Sequence, residues 1–207
     1  METVTVQFSH LDTSVFHKNK SIYSEQLMLK CLIKSSVANH LCGKNPDYRI
    51  RKDVFGKPHG MDRKGSLLPV STSHAYPYLY AAASHEDVLL GCDVESIRTF
   101  DDFFLTSFLC TNEFLYIKSI DSFLRDEVAT QAWTIKEAFL KAIGKGLRIH
   151  PRRLDVSTIL KGRGAGEYSI LFDREAVHCT VGVLLTKDRF VFSVILTRDE
   201  NIKKCKL

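Results

Sequence analysis

The sequence predicts an α+β fold, because strand-like and helix-like patterns occupy separate stretches of the chain. Residues 97–147 have a mainly helical pattern, and Gly144 and Gly146 are expected to end the last helix. Residues 88–95 form an apolar run that we expect to be a strand. After Gly146 the pattern becomes β-rich, and the predicted strands are 155–160, 168–172, 177–185 and 190–196.

The first ninety residues alternate short strand patterns with turns and contain one predicted helix. The strands expected here are 3–8, 70–74 and 78–83. Residues 24–37 have the pattern of an amphipathic helix that carries Lys30. Gly56-Lys57-Pro58 predicts a tight turn with one cation, and residues 61–69 are expected to form a loop.

The composition is that of an ordinary globular protein. The chain has 207 residues, of which 44% are hydrophobic and 26% are charged, so it forms one domain or two small ones that share a core. No apolar run approaches the roughly 18 residues of a membrane span, and residues 1–4 do not resemble the start of a secretory signal. Six cysteines without C-x-x-C spacing indicate a reduced, cytoplasmic protein. The net charge of +5 suits an anionic ligand or an acidic protein partner, and equally weak affinity for nucleic acid.

Trp133, Glu137 and Lys141 lie four positions apart in the last predicted helix. At 3.6 residues per turn they share one face. Taken alone, this pattern is equally typical of an amphipathic helix with an i,i+4 ion pair, which contributes only a few tenths of a kcal/mol.

Asp93 and Glu95 end the apolar run of residues 88–95. Side chains alternate along a strand, so the two carboxylates are expected to point to the same face. Neighbouring carboxylates repel each other unless a cation lies between them. The strand end is therefore a candidate Mg²⁺ site, because magnesium prefers oxygen ligands such as carboxylates and phosphates.

Together, the two stretches resemble the signature of the 4′-phosphopantetheinyl transferases, and more closely that of their larger, single-chain, Sfp-type branch. Gly91-Cys92-Asp93-Val94-Glu95 resembles the family pattern G-(I/V)-D-x-E, with Cys92 in place of a β-branched residue. The pattern W-x-x-K-E-A-x-x-K is complete, and its residues here are Trp133, Lys136, Glu137, Ala138 and Lys141.

Two further motifs follow the order found in the Sfp-type branch. Gly56-Lys57-Pro58 comes first, and Ser73-His74 stands where that branch commonly has Asn-x-Ser-His-Ser. Here Ala75 follows His74, so the second serine of the pattern is missing. The resemblance covers roughly residues 20–175 and is strongest over residues 88–147.

The resemblance implies two similar α+β subdomains in one chain, a pseudo-dimer with an antiparallel sheet and a long packed helix in each half. We expect residues 1–90 to form the N-terminal subdomain and residues 91–207 the C-terminal one, with the active site in the cleft between them. The sequence shows no convincing internal repeat, so the pseudo-twofold relation rests on the resemblance. A pseudo-dimer within one chain implies a monomer.

The implied reaction is Mg²⁺-dependent transfer of the 4′-phosphopantetheine arm of coenzyme A (CoA) to a carrier-protein serine, with release of 3′,5′-ADP. Acyl and peptidyl carriers of fatty-acid, polyketide and non-ribosomal peptide synthesis are all candidate acceptors. Asp93, Glu95 and Glu137 are the implied ligands of Mg²⁺, or of Mn²⁺ in its place. Glu137 is expected to take the serine proton, directly or through a water molecule, and Glu113 is the alternative base. Lys141 is expected to contact a phosphate oxygen.

The resemblance also implies a set of residues that bind coenzyme A. Ser73 and His74 are assigned to the 3′-phosphate, and the backbone around Lys57 and Pro58 is assigned to the adenine. Lys30 lies on the predicted helix 24–37, where relatives often carry a phosphate-contacting base.

Two other functions compete with an active transferase. The first is a degenerate relative that binds CoA or a carrier protein without catalysis, but all three carboxylates and Lys141 are present. The second is a basic nucleic-acid-binding module, which would need aromatic and cationic side chains interleaved on exposed strands. Residues 181–185 and 191–196 are apolar instead. The expected partners are therefore CoA and an acidic carrier protein, with no nucleic acid and no membrane.

Overall fold

Two five-stranded sheets form the framework of the fold. The computed structural model describes residues 6–12, 49–54, 56–61, 65, 67–84, 87–162 and 164–203. The first sheet contains β1 (Val6–Asp12), β2 (Arg49–Lys52), β3 (Pro58–Met61), β4 (Leu67–Ala75) and β5 (Tyr78–Ser84). The second contains β6 (Leu89–Ser96), β7 (Leu154–Asp155), β8 (Gly166–Phe172), β9 (Glu175–Leu185) and β10 (Phe190–Thr197). The predicted α+β class with antiparallel sheets is confirmed.

The two sheets share one strand order. The spatial orders are β1-β5-β4-β3-β2 and β6-β10-β9-β8-β7, and these pairings are antiparallel. A duplicated unit would produce this match, but the predicted helix 24–37 lies outside the described residues, so the pseudo-dimer stays a prediction. The proposed subdomain boundary after residue 90 also stays a prediction; β6 begins slightly earlier, at Leu89.

Five helices lie among the described residues, and most of them occupy the stretch predicted to be helical. They are α1 (Asp102–Phe108), α2 (Thr111–Ser119), α3 (Ser122–Ala142), α4 (Ser157–Gly162) and α5 (Asp199–Ile202). Gly144 and Gly146 follow α3 with positive φ angles of 71° and 52°, which favour glycine and end the helix. No helix of the described residues is long and apolar enough to cross a membrane.

Three predicted elements differ from the structure. Residues 155–160 are not a strand: β7 ends at Asp155, whose Oδ1 accepts a hydrogen bond from Ser157 N at 2.9 Å, and α4 follows. Val156, Ile159 and Leu160 are buried at helical spacing, which a β-branched composition concealed. The predicted loop 61–69 is shorter, because β3 and β4 extend into both ends. The first strand extends beyond its predicted end, because β1 (Val6–Asp12) continues to Asp12.

The second sheet is packed on both faces. Alternate residues of β10 point to opposite sides: Ile195 belongs to the apolar core under α3, whereas Phe192 and Val194 belong to the core that faces the first sheet. Tyr80 of β5 packs edge-on against Phe192, with ring centroids 5.1 Å apart. This layering places the C-terminal half of α3, β6 and β4 beside one another.

Candidate active site at the β6–α3 contact

Gly91 allows α3 to lie very close to β6. A Cβ atom at this position would be 1.9 Å from Ala138 O and 2.5 Å from Ala142 N, distances that no methyl group tolerates. The glycine of the predicted motif therefore determines how deeply the helix packs. As a result, Glu137 and Lys141 of α3 approach the carboxylates of β6.

Asp93, Ser73 and Lys141 form a hydrogen-bonded group from three different elements. Ser73 Oγ on β4 donates to Asp93 Oδ1 at 2.6 Å. Lys141 Nζ on α3 donates to the same oxygen at 2.6 Å and to Ser73 Oγ at 3.1 Å. Burial lowers the pKa of Lys141, but the Asp93 carboxylate more than reverses this effect, so the pKa lies above its ordinary value. The ammonium is therefore held as a cation at the end of the acidic strand.

Glu137 lies one helical turn before Lys141 and borders the same group. Its Oε2 is 3.7 Å from Lys141 Nζ, and its side chain keeps 19% of its surface exposed. Burial and then the Asp93 carboxylate raise the pKa of Glu137 to about 7, with a smaller contribution from Glu95. The three predicted carboxylates are therefore close enough to influence one another.

Glu95 is half-buried at the outer end of β6. Burial and then Asp93 raise its pKa, whereas Arg98 and the indole of Trp133 oppose the rise. Trp133 Nε1 is buried near Glu95, without the geometry of a regular hydrogen bond to any described residue, and its ring packs against Phe108 with centroids 5.1 Å apart. The tryptophan of the motif thus forms an apolar wall beside Glu95.

The three carboxylates of Asp93, Glu95 and Glu137 offer the oxygen ligands that a magnesium ion prefers. Asp93 Oδ2 is buried and has no hydrogen-bond partner among the described residues, which is costly unless a cation or donor can reach it. The oxygens of Asp93, Glu95 and Glu137 do not all lie within 4.8 Å of one another. Lys141 Nζ contacts both Asp93 and Glu137, so it supplies the positive charge between them in this arrangement.

Glu113 belongs to a different cluster and is not brought together with these carboxylates. Its side chain and that of Lys136 are both 0% exposed, and Glu113 Oε2 lies 2.6 Å from Lys136 Nζ. The carboxylate also accepts hydrogen bonds from the backbone N–H groups of Cys110 and Val156, each at 2.8 Å. Glu113 therefore connects buried segments of the chain, and its assignment as the alternative base stays a prediction.

Glu113, Cys110 and Asp155 are the three metal-ligand-type side chains whose ligand atoms, within the described residues, cluster inside 4.8 Å. Protein donors already engage both carboxylates, since Asp155 accepts from Asn112 Nδ2 at 2.7 Å and from Ser157 N at 2.9 Å. This cluster is a hydrogen-bond network at the N-terminal ends of α2 and α4.

A cleft of about 580 Å³ opens next to Lys141. Three predicted CoA residues line it, namely Lys57, Pro58 and Lys141. Lys57 Nζ donates to the carbonyl oxygen of Ala142, one of the carbonyls that a helix end leaves without an internal partner. Burial lowers the pKa of Lys57 to about 8, against the opposing effect of Asp53. Lys57 therefore joins the first sheet to the end of α3 at the wall of the cleft.

The other predicted CoA residues have different positions. Ser73 is buried and bonds to Asp93, whereas its neighbour His74 is exposed, because adjacent side chains of a strand point to opposite faces. The two side chains therefore point to opposite faces of β4, and their assignment to the 3′-phosphate stays a prediction. Lys30 lies outside the described residues.

The sequence reasoning missed several residues of the cleft. Gly144, Lys145, Gly146, Leu147 and Arg148 form one side of it, directly after α3. The signal was available, because two cations alternate with two glycines in this stretch, and glycine-rich turns with cations are typical of phosphate sites. Ser71 was also missed; its Oγ accepts a hydrogen bond from Cys92 N at 2.9 Å, next to Asp93.

These features define a class of protein: an α+β enzyme in which a group of carboxylates meets a cationic cleft suited to a phosphate-rich ligand. The family model of the 4′-phosphopantetheinyl transferase superfamily matches residues 89–195, which include β6, α3 and most of β10. The chain belongs to this superfamily.

A curated relative supports the same assignment. The chain is 32% identical over 130 residues to the 4′-phosphopantetheinyl transferase gsp of Aneurinibacillus migulanus, which covers 63% of this chain and 50% of the relative. The chain thus spans about half the length of this relative.

Proposed function

We propose that this protein transfers the 4′-phosphopantetheine arm of CoA to a serine hydroxyl of an acyl or peptidyl carrier protein. The serine oxygen attacks the β-phosphorus of the CoA pyrophosphate, and 3′,5′-ADP leaves. The observation that carries the proposal is the contact between Asp93, Glu137 and Lys141 at the mouth of a cationic cleft. Such displacements depend on positioning and charge neutralisation.

The residues of the cleft are proposed to contribute to CoA binding in different ways. Lys57, Lys145 and Arg148 supply positive charge along its walls, which suits the nucleotide phosphates. Lys141 is shared between the cleft and the carboxylates, so it is placed to hold a pyrophosphate oxygen. Gly144 and Gly146 let the backbone approach a ligand closely.

The acidic residues are proposed to bind magnesium and to move the serine proton. Asp93, Glu95 and Glu137 would hold Mg²⁺, which when bound neutralises charge on the pyrophosphate. Glu137 is the better base, because 19% of its side chain is exposed whereas Glu113 is 0% exposed and a carrier serine cannot reach it.

The first prediction concerns the reaction itself. An apo acyl carrier protein incubated with this protein, CoA and Mg²⁺ is expected to gain the mass of one phosphopantetheine arm, as measured by intact mass spectrometry. EDTA is expected to abolish the gain, and Glu137→Ala is expected to lower the rate at least about 100-fold, because it removes a charged group from the reacting centre.

Glu127→Ala is the matched control, because Glu127 lies on the same helix outside the acidic group, where its Oε1 accepts a hydrogen bond from Gln131 Nε2 at 3.2 Å. An equal loss of transfer rate in Glu137→Ala and Glu127→Ala would contradict a special role for Glu137. No mass gain on fatty-acid, polyketide and peptide carriers alike would overturn the transferase proposal. CoA binding by such a preparation would then support the non-catalytic alternative.

The second prediction is a pH dependence of CoA binding. Lys57 has a pKa lowered to about 8, so it is a cation below this pH and neutral above it. The dissociation constant of CoA, measured by isothermal titration calorimetry, is expected to rise as the pH increases through about 8. Lys57→Arg keeps its charge over this range and is expected to flatten the dependence. An unchanged profile in Lys57→Arg would show that another group titrates.

A further inference from the structure

A pair of buried hydroxyl groups joins α3 to the second sheet. Thr134 Oγ1 on α3 and Ser193 Oγ on β10 lie 2.7 Å apart, and both residues are 0% exposed. Their neighbours Ile135 and Ile195 belong to the apolar core between the helix and the sheet. Neither hydroxyl lines the CoA cleft, so the pair is separate from the residues proposed to contact the substrates.

The direction of the hydrogen bond between the two hydroxyls follows from their other contacts. Thr134 Oγ1 donates its hydrogen to the carbonyl oxygen of Gln131 at 3.1 Å. Because a hydroxyl group has one hydrogen, Thr134 accepts the bond from Ser193, and Ser193 is the donor. A shift of α3 against β10 would leave the Ser193 hydroxyl buried without a partner, which costs free energy. The satisfied pair therefore favours one arrangement of the helix on the sheet.

The hydroxyl pair lies next to the acidic group on both elements. In the antiparallel register of β6 and β10, Ser193 is directly opposite Asp93. On α3, Thr134 precedes Glu137 by three positions, so these two side chains are neighbours on the helix surface. The hydrogen bond thus connects the residue opposite one carboxylate to the residue about one turn before another.

Two other contacts between α3 and the sheets do not replace this bond. Gly91 lets the helix approach β6 closely, but a missing Cβ atom supplies no directional interaction. Lys141 bonds to Asp93, yet Lys141 is also proposed to hold a pyrophosphate oxygen, so this contact must change when CoA binds. The bond between Thr134 and Ser193 is directional and fully buried, so it can hold α3 in place while ligands exchange.

We propose that Thr134 and Ser193 are positioning residues for the transfer reaction, because their hydrogen bond fixes α3 so that Glu137 lies beside Asp93. This inference rests on the proposed function. The two hydroxyls act through Glu137 and contact no substrate. A displacement of a reacting group by about 1 Å can lower a rate roughly 100-fold. CoA affinity is expected to depend less on the pair, because the CoA cleft also uses residues of the first sheet.

Steady-state transfer to an apo acyl carrier protein and a titration with Mn²⁺ alone, followed by electron paramagnetic resonance, test the proposal. Thr134→Val replaces the hydroxyl with a methyl group of similar size. It is expected to lower kcat at least about tenfold and to leave the KM for CoA within about twofold. The dissociation constant of Mn²⁺, which suits the same oxygen ligands as Mg²⁺, is expected to rise about tenfold. Thr134→Ser keeps the hydroxyl and is expected to retain most of both properties.

Thr130→Val is the matched control. Thr130 lies one turn earlier on α3, is also buried, and donates to the carbonyl oxygen of Asp126 at 2.7 Å within the helix. Both valine variants remove an intrahelical hydrogen bond, and Thr134→Val also removes the bond to Ser193. Urea unfolding of the two variants shows how much stability each loses. Equal losses of kcat and of Mn²⁺ affinity in the two variants would overturn the inference and leave an effect of helix stability.

Ser193→Ala and the variant Thr134→Val/Ser193→Ala complete a double-mutant cycle. If the two hydroxyls act through one bond, the double variant is expected to lose no more of kcat than Thr134→Val alone. Losses of kcat that multiply would overturn the inference, and so would a rise in the CoA KM at unchanged kcat. Absence of transfer by the unmodified protein would remove the proposed function. Unchanged Mn²⁺ affinity in Thr134→Val would instead overturn the positioning role, whether or not transfer is observed.

Discussion

Replacing Lys136 with methionine is expected to lower the free energy of unfolding by about 3–5 kcal/mol, the cost of leaving a buried carboxylate without its cation. Lys136 Nζ lies 2.6 Å from Glu113 Oε2, and neither side chain is exposed. The ammonium also donates, at 2.9, 3.1 and 3.0 Å, to the carbonyl oxygens of Phe108, Pro151 and Leu154. All of these partners lose a donor in the variant, because methionine has no N–H group.

The Glu113–Lys136 pair also determines where α3 lies. Burial raises the pKa of Glu113 and lowers that of Lys136, while each group opposes the shift of the other. The pair connects α3 to the end of α1 and to residues 151–154, immediately next to Glu137. Its loss is therefore expected to reduce transfer as well as stability.

Urea unfolding followed by the fluorescence of Trp133 measures the effect of Lys136→Met. Lys187→Met, at an exposed lysine, is the control and is expected to change stability by less than about 0.5 kcal/mol. The double variant Glu113→Gln/Lys136→Met is expected to recover part of the loss, because it removes both charges. A loss below about 1 kcal/mol for Lys136→Met would argue against a buried ion pair. Full activity of folded Glu113→Gln would exclude Glu113 as the base.

Gly91→Ala is the second substitution for which we expect a large effect. The new methyl group would meet backbone atoms of Ala138 and Ala142 at 1.9 and 2.5 Å, and backbone cannot rotate away as a side chain can. The helix must move outwards, at an expected cost of about 3 kcal/mol, the upper end for overpacking. The shift also separates Glu137 and Lys141 from Asp93, so transfer is expected to fall at least about 100-fold even in the folded fraction.

Gly182→Ala is a matched control for this overpacking. Its methyl group would lie 2.8 Å from Val194 Cγ1, the end of a side chain that can adjust, so a cost of about 1 kcal/mol is expected. Thermal unfolding and the carrier mass assay are measured on both variants. Similar stability and activity for the two would show that α3 does not pack on β6 through Gly91.

The sequence by itself determined the elements whose pattern is local. Alternation predicted the strands 168–172, 177–185 and 190–196, and each lies within a longer observed strand or matches it closely. Alternation and helical spacing also predicted which faces carry Asp93, Glu95, Glu137 and Lys141. These relations depend on neighbours one to four positions apart, and the repeat of each secondary structure sets them directly.

The tertiary structure alone decided which residues meet across the chain. Ser73 reaches Asp93 while His74 points away, because β4 presents one particular face to β6. Glu113 pairs with Lys136 rather than with the acidic strand, and the segment after Asp155 became a helix. Such contacts depend on the packing of elements that are far apart in sequence. Local periodicity does not indicate which of these distant elements pack against each other. Because Gly91 has no Cβ atom, α3 packs closely against β6, and this close packing places the carboxylates beside the cleft.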